Sequence, residues 1–293
     1  PLVKGLLAVN DRAGEQLVDV IIFSRNDADS AMRVLRSIEA HDLPITRGVF
    51  RGGRDPWPML PALSCDVFLS AEPSQVLKAR EQAVAAALIL PGTRLANEDV
   101  TEVRIAFDGD AVLFDQASQQ VFDAQGLDAF HEHEASHQDE PMSPGPFRPF
   151  LDGLARIQAH FGAASPVRTA LVTARAAPAH YRVVNTLRSW GVNIDETYFL
   201  GGVEKTDVLK AFGAHIFFDD QRVHAERASA QVPAAQVLWS EADLPAAEQP
   251  SKPVVLKGKR KGKSGKTKRS KSAATPRAGS RPATPRARAR NGR

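Results

Sequence analysis

A single cysteine, Cys65, occurs in the 293 residues, which excludes an intramolecular disulfide and a cysteine-rich zinc site and fits a reducing compartment. Long apolar runs are also missing. The longest, Ala83 to Leu90, is eight residues, too short to span a bilayer, and the N-terminus lacks the basic-then-apolar order of a signal peptide. A soluble, cytoplasmic protein with no membrane partner is therefore expected. Acidic residues are absent from Ser251 onward: all 34 precede it, whereas 16 of the 38 Lys and Arg lie from Lys252 on. The first 251 residues thus carry a net −12 and the remainder +16.

That asymmetry marks a tail over residues 246–293, with two TPRA repeats and no apolar face, expected to stay disordered because it cannot offset the entropy of ordering. Its charge suits salt-sensitive, non-specific contact with nucleic acid or another polyanion as much as a plain solubilising role. Nothing in it offers base-reading structure.

What is present is a set of four polar signals, three of them closing an apolar run: FDGDAV at Phe107 to Val112, LVTAR at Leu171 to Arg175, Lys205, and FFDDQ at Phe217 to Gln221. The runs RIAF, RTALVT and HIFF are short, rich in β-branched and aromatic residues and bounded by turn signals, so each predicts a buried parallel strand. Ligands gather at the carboxyl ends of such strands. A lone Asp-Gly-Asp is weak evidence, being a common turn. Here Asp108 follows a strand, Gly109 lets the backbone turn, and Asp110 returns to the same side. Asp108, Asp110, Asp219 and Asp220 brought together would repel one another, so a cation is required among them, and all-oxygen ligands beside a phosphate favour Mg²⁺.

Residues 19–72 and 168–221 also match each other at a constant offset of 149, which predicts an internal duplication. DVIIFSR parallels RTALVTA with Ser24 opposite Thr173, Arg33 falls opposite Arg182, and FRGG at Phe50 to Gly53 parallels FLGG at Phe199 to Gly202. Each copy reads strand, helix, strand, Gly-Gly turn, helix, strand, which is right-handed βαβ winding and an α/β class. The helix expected over Ala177 to Trp190 has Tyr181, Val184, Leu187 and Trp190 as its packed face and Gly191 as its stop. The copies diverge where chemistry is expected, with Pro56 opposite Lys205 and Ser70 and Ala71 opposite Asp219 and Asp220. The first copy is then structural, or a second nucleotide pocket, but not a second catalytic centre. It begins at Pro1, opposite Pro149 with the offset shorter by one, without a counterpart to the strand carrying Asp108; about forty residues, judged from the second copy, are expected to be missing there.

These motifs resemble the haloacid dehalogenase superfamily of phosphatases, through DxD, Thr, Lys and DD in that order. They also resemble, within it, the cytosolic type I 5'-nucleotidases, through AFDGDAVLF, FHEHEASH, PVRTALVTARAAPAH, TLRSWGVNIDETYFLGG and HIFFDDQ. The resemblance spans residues 1 to about 240. It implies a Rossmann-like parallel sheet with a degenerate repeat over 1–95, a catalytic repeat over 96–245 and a small cap at about 115–147. It implies Mg²⁺-dependent hydrolysis of a nucleoside 5'-monophosphate, AMP-like, to nucleoside and phosphate. By position, Asp108 becomes the nucleophile and Asp110 the acid and then the base. Thr173, Ala174, Arg175 and Lys205 meet the substrate, and Asp108, the Asp110 carbonyl, Asp219 and Asp220 hold the metal. The further Asp that many members place about four residues after DD is absent; Gln221, Arg222, Val223 and His224 follow instead.

Three other readings remain open at this stage. His133, Glu134 and His137 spell H-E-x-x-H, a zinc-hydrolase pattern without an evident third ligand, in a stretch the resemblance assigns to covering the nucleotide. Arg175, His180 and Arg182 suit contacts to base or ribose as well as an ordinary helix face. The activity is alternatively directed at another small phosphomonoester, or the chain is an inactive nucleotide- or nucleic-acid-binding protein. A homo-oligomer is compatible with the sequence, which does not fix the number of subunits.

Overall fold

The structure, a computed structural model, describes residues 1–92 and 101–244. The short apolar runs form strands and the stretches between them wind into helices. In chain order these are α1 (Leu2–Ala13), β1 (Ile21–Ser24), α2 (Ala28–Ala40), β2 (Arg47–Phe50), α3 (Met59–Ala62), β3 (Val67–Ser70), α4 (Pro73–Arg80) and β4 (Ala85–Ile89). Then follow β5 (Val103–Phe107), α5 (Ala117–Gln125), α6 (Leu127–Ser136), α7 (Arg148–Phe161), β6 (Val167–Thr173), α8 (His180–Trp190), β7 (Glu196–Phe199), α9 (Thr206–Phe212), β8 (Ile216–Asp219), α10 (Arg222–Ser229) and β9 (Ala234–Gln236). A seven-stranded sheet has the order β3-β4-β9-β8-β5-β6-β7, parallel throughout except where β4 meets β9. β1 and β2 pair in a separate parallel ribbon. The class is mixed α/β with a mostly parallel central sheet, and none of the described helices is long and apolar enough to cross a membrane.

Several backbone features recur at the offset of 149. Ser24 pairs with Phe50 in β1-β2 as Thr173 pairs with Phe199 in β6-β7. The Gly52 and Gly53 amides donate to the carbonyls of Asn26 and Arg25 (3.0 and 2.6 Å), and those of Gly201 and Gly202 to Arg175 and Ala174 (3.2 and 3.0 Å). Both glycine pairs sit at positive φ, 53° and 85° in one half and 57° and 84° in the other, a left-handed course that side chains resist. The correspondence continues past the stretch where the sequences visibly agree: α4 and α10 have the same bounds at that offset, and β4 lies opposite β9.

The core that positions the second half is aromatic. Phe107 of β5 stacks on Phe218 of β8, centroids 5.5 Å apart, and Phe147 packs on Phe218 at 4.6 Å. Val167, Leu171 and Leu151 join them, all fully buried. Burying such side chains contributes roughly 1.5–3 kcal/mol each, which holds the ends of β5, β6 and β8 in fixed relation. α8 differs from expectation in its face. Arg182, Val183, Thr186 and Leu187 turn inward, while Tyr181 is 55% exposed, because a polar partner described below draws Arg182 inside. The helix stops at Gly191, φ 64°, as expected.

Candidate active site

Because β5 lies between β6 and β8, the residues that end these strands come together on one edge of the sheet. Asp108 directly follows β5, and its amide donates to the Phe218 carbonyl at 2.8 Å, tying it to β8. Thr173 is the last residue of β6 and Asp219 the last of β8; Lys205 precedes the first turn of α9. All four are buried.

Lys205 Nζ stands 3.0 Å from Asp108 Oδ1 and 2.7 Å from Asp219 Oδ2. Asp108, Asp219 and Asp220 each present a carboxylate oxygen within 4.8 Å of one another, so three acidic groups share one ammonium. The electrostatics show the imbalance. Burial, with Asp219 and Asp110 adding repulsion against the pull of Lys205, raises the Asp108 carboxyl to about 7. Burial together with Asp108 and Asp219 raises Asp220 to about 8. Burial also works against charge on Asp219, yet Lys205 and His224 hold it below the usual carboxylate range; burial likewise opposes the Lys205 charge, and Asp108 and Asp219 more than offset it. The cluster is thus short of positive charge, and its donors are all hard oxygens, the set that suits a small divalent cation.

Thr173 Oγ1 accepts from the Arg175 amide at 3.2 Å, and Asp219 Oδ1 from the Gln221 amide at 2.8 Å, so each shapes the turn that follows its strand. Ala174 lies in the turn after β6, its carbonyl taken by Gly202. His224 occupies the stretch where the further Asp was missed, with Nδ1 3.6 Å from Asp219 Oδ2.

Asp110 faces differently. Arg175 grips it with two bonds, Nε to Oδ2 at 2.8 Å and Nη2 to Oδ1 at 2.6 Å. Arg175 also donates through Nη1 to Glu134 of α6. Glu134 is wholly buried and accepts in addition from Arg182 Nη1 at 2.9 Å and Ser118 Oγ at 2.7 Å. The H-E-x-x-H pattern is therefore not a zinc centre: its glutamate is enclosed by two arginines, and among the described residues the only cluster suited to a metal is the aspartate one. Arg175, 2% exposed, turns inward to these two carboxylates, and Arg182 joins Glu134 and the Glu140 carbonyl. Neither guanidinium lies open on a helix face. Glu134 as the hub of this network is the residue that reading the sequence missed.

The excursion carrying α5 and α6 closes on itself. Asp115 N donates to Ser143 O at 3.0 Å and Gly145 N to Leu113 O at 2.7 Å. A Cβ at Gly145 would stand 2.3 Å from the Phe114 carbonyl oxygen, so only glycine permits this return.

Buried strand ends presenting a threonine and clustered aspartates, with a lysine from the start of α9 among them, place this chain among α/β proteins with an acidic strand-end cluster. The comparisons give the family. The 5'-nucleotidase family model matches residues 1–243, and the chain belongs to the 5'-nucleotidase family. It is 37% identical over 238 residues to cytosolic 5'-nucleotidase 1B of Homo sapiens, a match covering 77% of this chain and 39% of that protein. The chain therefore spans about two fifths of the length of that relative. No solved structure matches.

Proposed function

We propose that the chain is a Mg²⁺-dependent 5'-nucleotidase of the haloacid dehalogenase type. On this reading it arose by internal duplication, with a degenerate repeat at 1–95, a catalytic repeat at 96–245 and a cap at about 115–147. The observation that carries this is Lys205 seated between Asp108 and Asp219 at adjoining strand ends, with Asp220 beside them. The substrate is a nucleoside 5'-monophosphate, in keeping with the family and the human relative.

Asp108 attacks phosphorus through a carboxylate oxygen, forming an O–P bond as the bond from phosphorus to the 5'-oxygen breaks. Asp110 gives that oxygen its proton. Asp110 then takes a proton from water as the water oxygen attacks the aspartyl-phosphate, which frees phosphate and restores Asp108. Thr173, with the backbone of Ala174 and Arg175, holds phosphoryl oxygens, and Lys205 offsets charge on Asp108 and the phosphate. Arg175 serves the substrate chiefly by holding Asp110. Asp108, Asp219 and Asp220, with the Asp110 carbonyl, would hold Mg²⁺, which when bound supplies charge neutralisation at the phosphoryl group. A cytoplasmic location fits the single cysteine and the human relative's name. The basic tail lies outside the described residues, and its contact with nucleic acid or another polyanion, like assembly into a homo-oligomer, belongs to the same proposal.

Phosphate release from a panel of nucleoside monophosphates, with Mg²⁺ and with chelator, tests the reading. Mg²⁺-dependent release supports it. Release only from other phosphomonoesters, or none from any substrate, overturns it.

A further inference from the structure

The mechanism leaves two buried charged groups unused, Glu134 and Arg182. Glu134, wholly inaccessible, sits on α6 of the excursion that leaves the sheet after Asp110, 24 residues further along the chain. Its two oxygens take three donors from three elements: Ser118 on α5, Arg175 after β6 and Arg182 on α8. Arg175 in turn grips both oxygens of Asp110, with its guanidinium carbon 5.2 Å from the Phe130 ring centroid and Nη2 3.3 Å from the Met142 sulfur. Charges alternate along this chain: Asp110, Arg175, Glu134, Arg182. Each inner member has opposite charge on both sides, the condition under which buried ions are tolerated.

We infer that Glu134 is a positioning residue for the reaction: it fixes the Arg175 guanidinium, and through it the Asp110 carboxyl, while Ser118 makes that grip depend on the seating of α5 and α6. The inference rests on the proposed role of Asp110 and deepens it. A planar guanidinium bound at both edges by carboxylates has one orientation, so the Asp110 oxygens are set by a residue that touches neither phosphate nor nucleoside. Without Glu134, Arg175 keeps only one carboxylate and gains freedom to rotate, and the proton donor loses its aim. A small misplacement of a reacting group is costly.

The test separates positioning from general damage. Glu134→Gln keeps the size of the side chain and removes its charge. Turnover of AMP, whose leaving alkoxide needs a proton, should fall on the order of 10²-fold, the scale of general acid catalysis, with the loss in kcat and KM within about threefold. In the pre-steady-state burst, which precedes breakdown of the intermediate, release of p-nitrophenol from p-nitrophenyl phosphate needs no proton from Asp110 and should slow less than about fivefold, whereas release of adenosine from AMP should slow on the order of 10²-fold. Glu134→Asp should recover part of the AMP rate. Equal slowing of the two bursts, a loss lying in KM, or unchanged AMP turnover would overturn the inference. Should Glu134→Gln fail to fold by circular dichroism, Ser118→Ala is read instead; the same selective pattern, severalfold in size, is expected, and equal effects on the two esters contradict it. Wild-type protein inert on every phosphomonoester would instead sink the functional reading itself.

Discussion

The two halves of this chain repeat several local backbone features and differ in charge, and the comparison separates the residues that shape the strand-end turns from the charged residues gathered beside them. Ser24 Oγ accepts from the Asn26 amide at 3.1 Å as Thr173 accepts from Arg175, and Ser70 Oγ accepts from the Glu72 amide at 3.1 Å as Asp219 accepts from Gln221. Even a surface ion pair recurs, Lys78 with Asp55 at 3.2 Å and Arg227 with Glu204 at 2.9 Å. A hydroxyl therefore serves for folding the turn after β3, and the second half uses a carboxylate at that place for what a hydroxyl cannot do: hold Lys205. The other difference is a strand. β5, which carries Asp108, fills the space between β6 and β8, whereas among the described residues nothing pairs with β1 and β3 on the corresponding edges. The four residues of β1 are accordingly half-buried, while all of β6 but Arg168 is buried.

The comparison is broken most severely at Asp108. Asp108→Asn should lower nucleotide turnover by roughly four or more orders of magnitude while the circular dichroism spectrum is kept, since the proposed nucleophile is lost with little change of shape. Near-normal turnover would refute the role. Moving the first half's residue into the second sharpens the contrast. Asp219→Ser should keep the turn, as Ser70 does, cost about 3 kcal/mol by leaving Lys205 with one carboxylate, and lower turnover on the order of 10²- to 10³-fold. The reciprocal probe, Ser70→Ala, should cost no more than about 1.5 kcal/mol in urea denaturation and leave turnover alone.

Acidity gives an effect of intermediate size confined to the second half. Asp108 and Asp220 are raised to about 7 and about 8, above the ordinary 3.8. Between pH 4 and 8 the folded state therefore keeps protons that the unfolded state has released, so without divalent cation stability falls as pH rises through that window. The melting midpoint in chelator should drop by several degrees from pH 5 to 8.5, and millimolar Mg²⁺ should remove most of the slope. A midpoint that rises with pH in chelator would contradict the charge imbalance. A similarly small catalytic effect is expected from deleting residues 252–293: mononucleotide turnover should stay within about twofold, while salt-sensitive retention on heparin, which follows from the +16 charge, is lost.

The strand-end motifs were legible in the sequence because each is local: an apolar run followed at once by Asp108, Thr173 or Asp219 states both the strand and what stands at its end. The offset of 149 was legible up to residue 72, where side chains still agree. Beyond it, α4 matches α10 in bounds although the residues have drifted, since backbone shape tolerates substitutions that erase similarity. Glu134 was not legible as a hub, because its partners lie 41 and 48 residues away and the local pattern H-E-x-x-H pointed to zinc. The inward turn of Arg182 escaped for the same reason: helical periodicity ranks apolar residues and cannot register a buried carboxylate waiting on another element. The antiparallel junction of β4 with β9 likewise depends on how two distant strands meet.

The account is tested most directly by quenching turnover of phosphorus-labelled AMP in acid within milliseconds and mapping the label onto peptides, in parallel with the Asp108→Asn variant, which has no carboxylate to phosphorylate. Label confined to the peptide that holds Asp108, and absent in the variant, is the result expected. Label on a different peptide, or AMP hydrolysis that proceeds at full rate in protein lacking the Asp108 carboxylate, would contradict it.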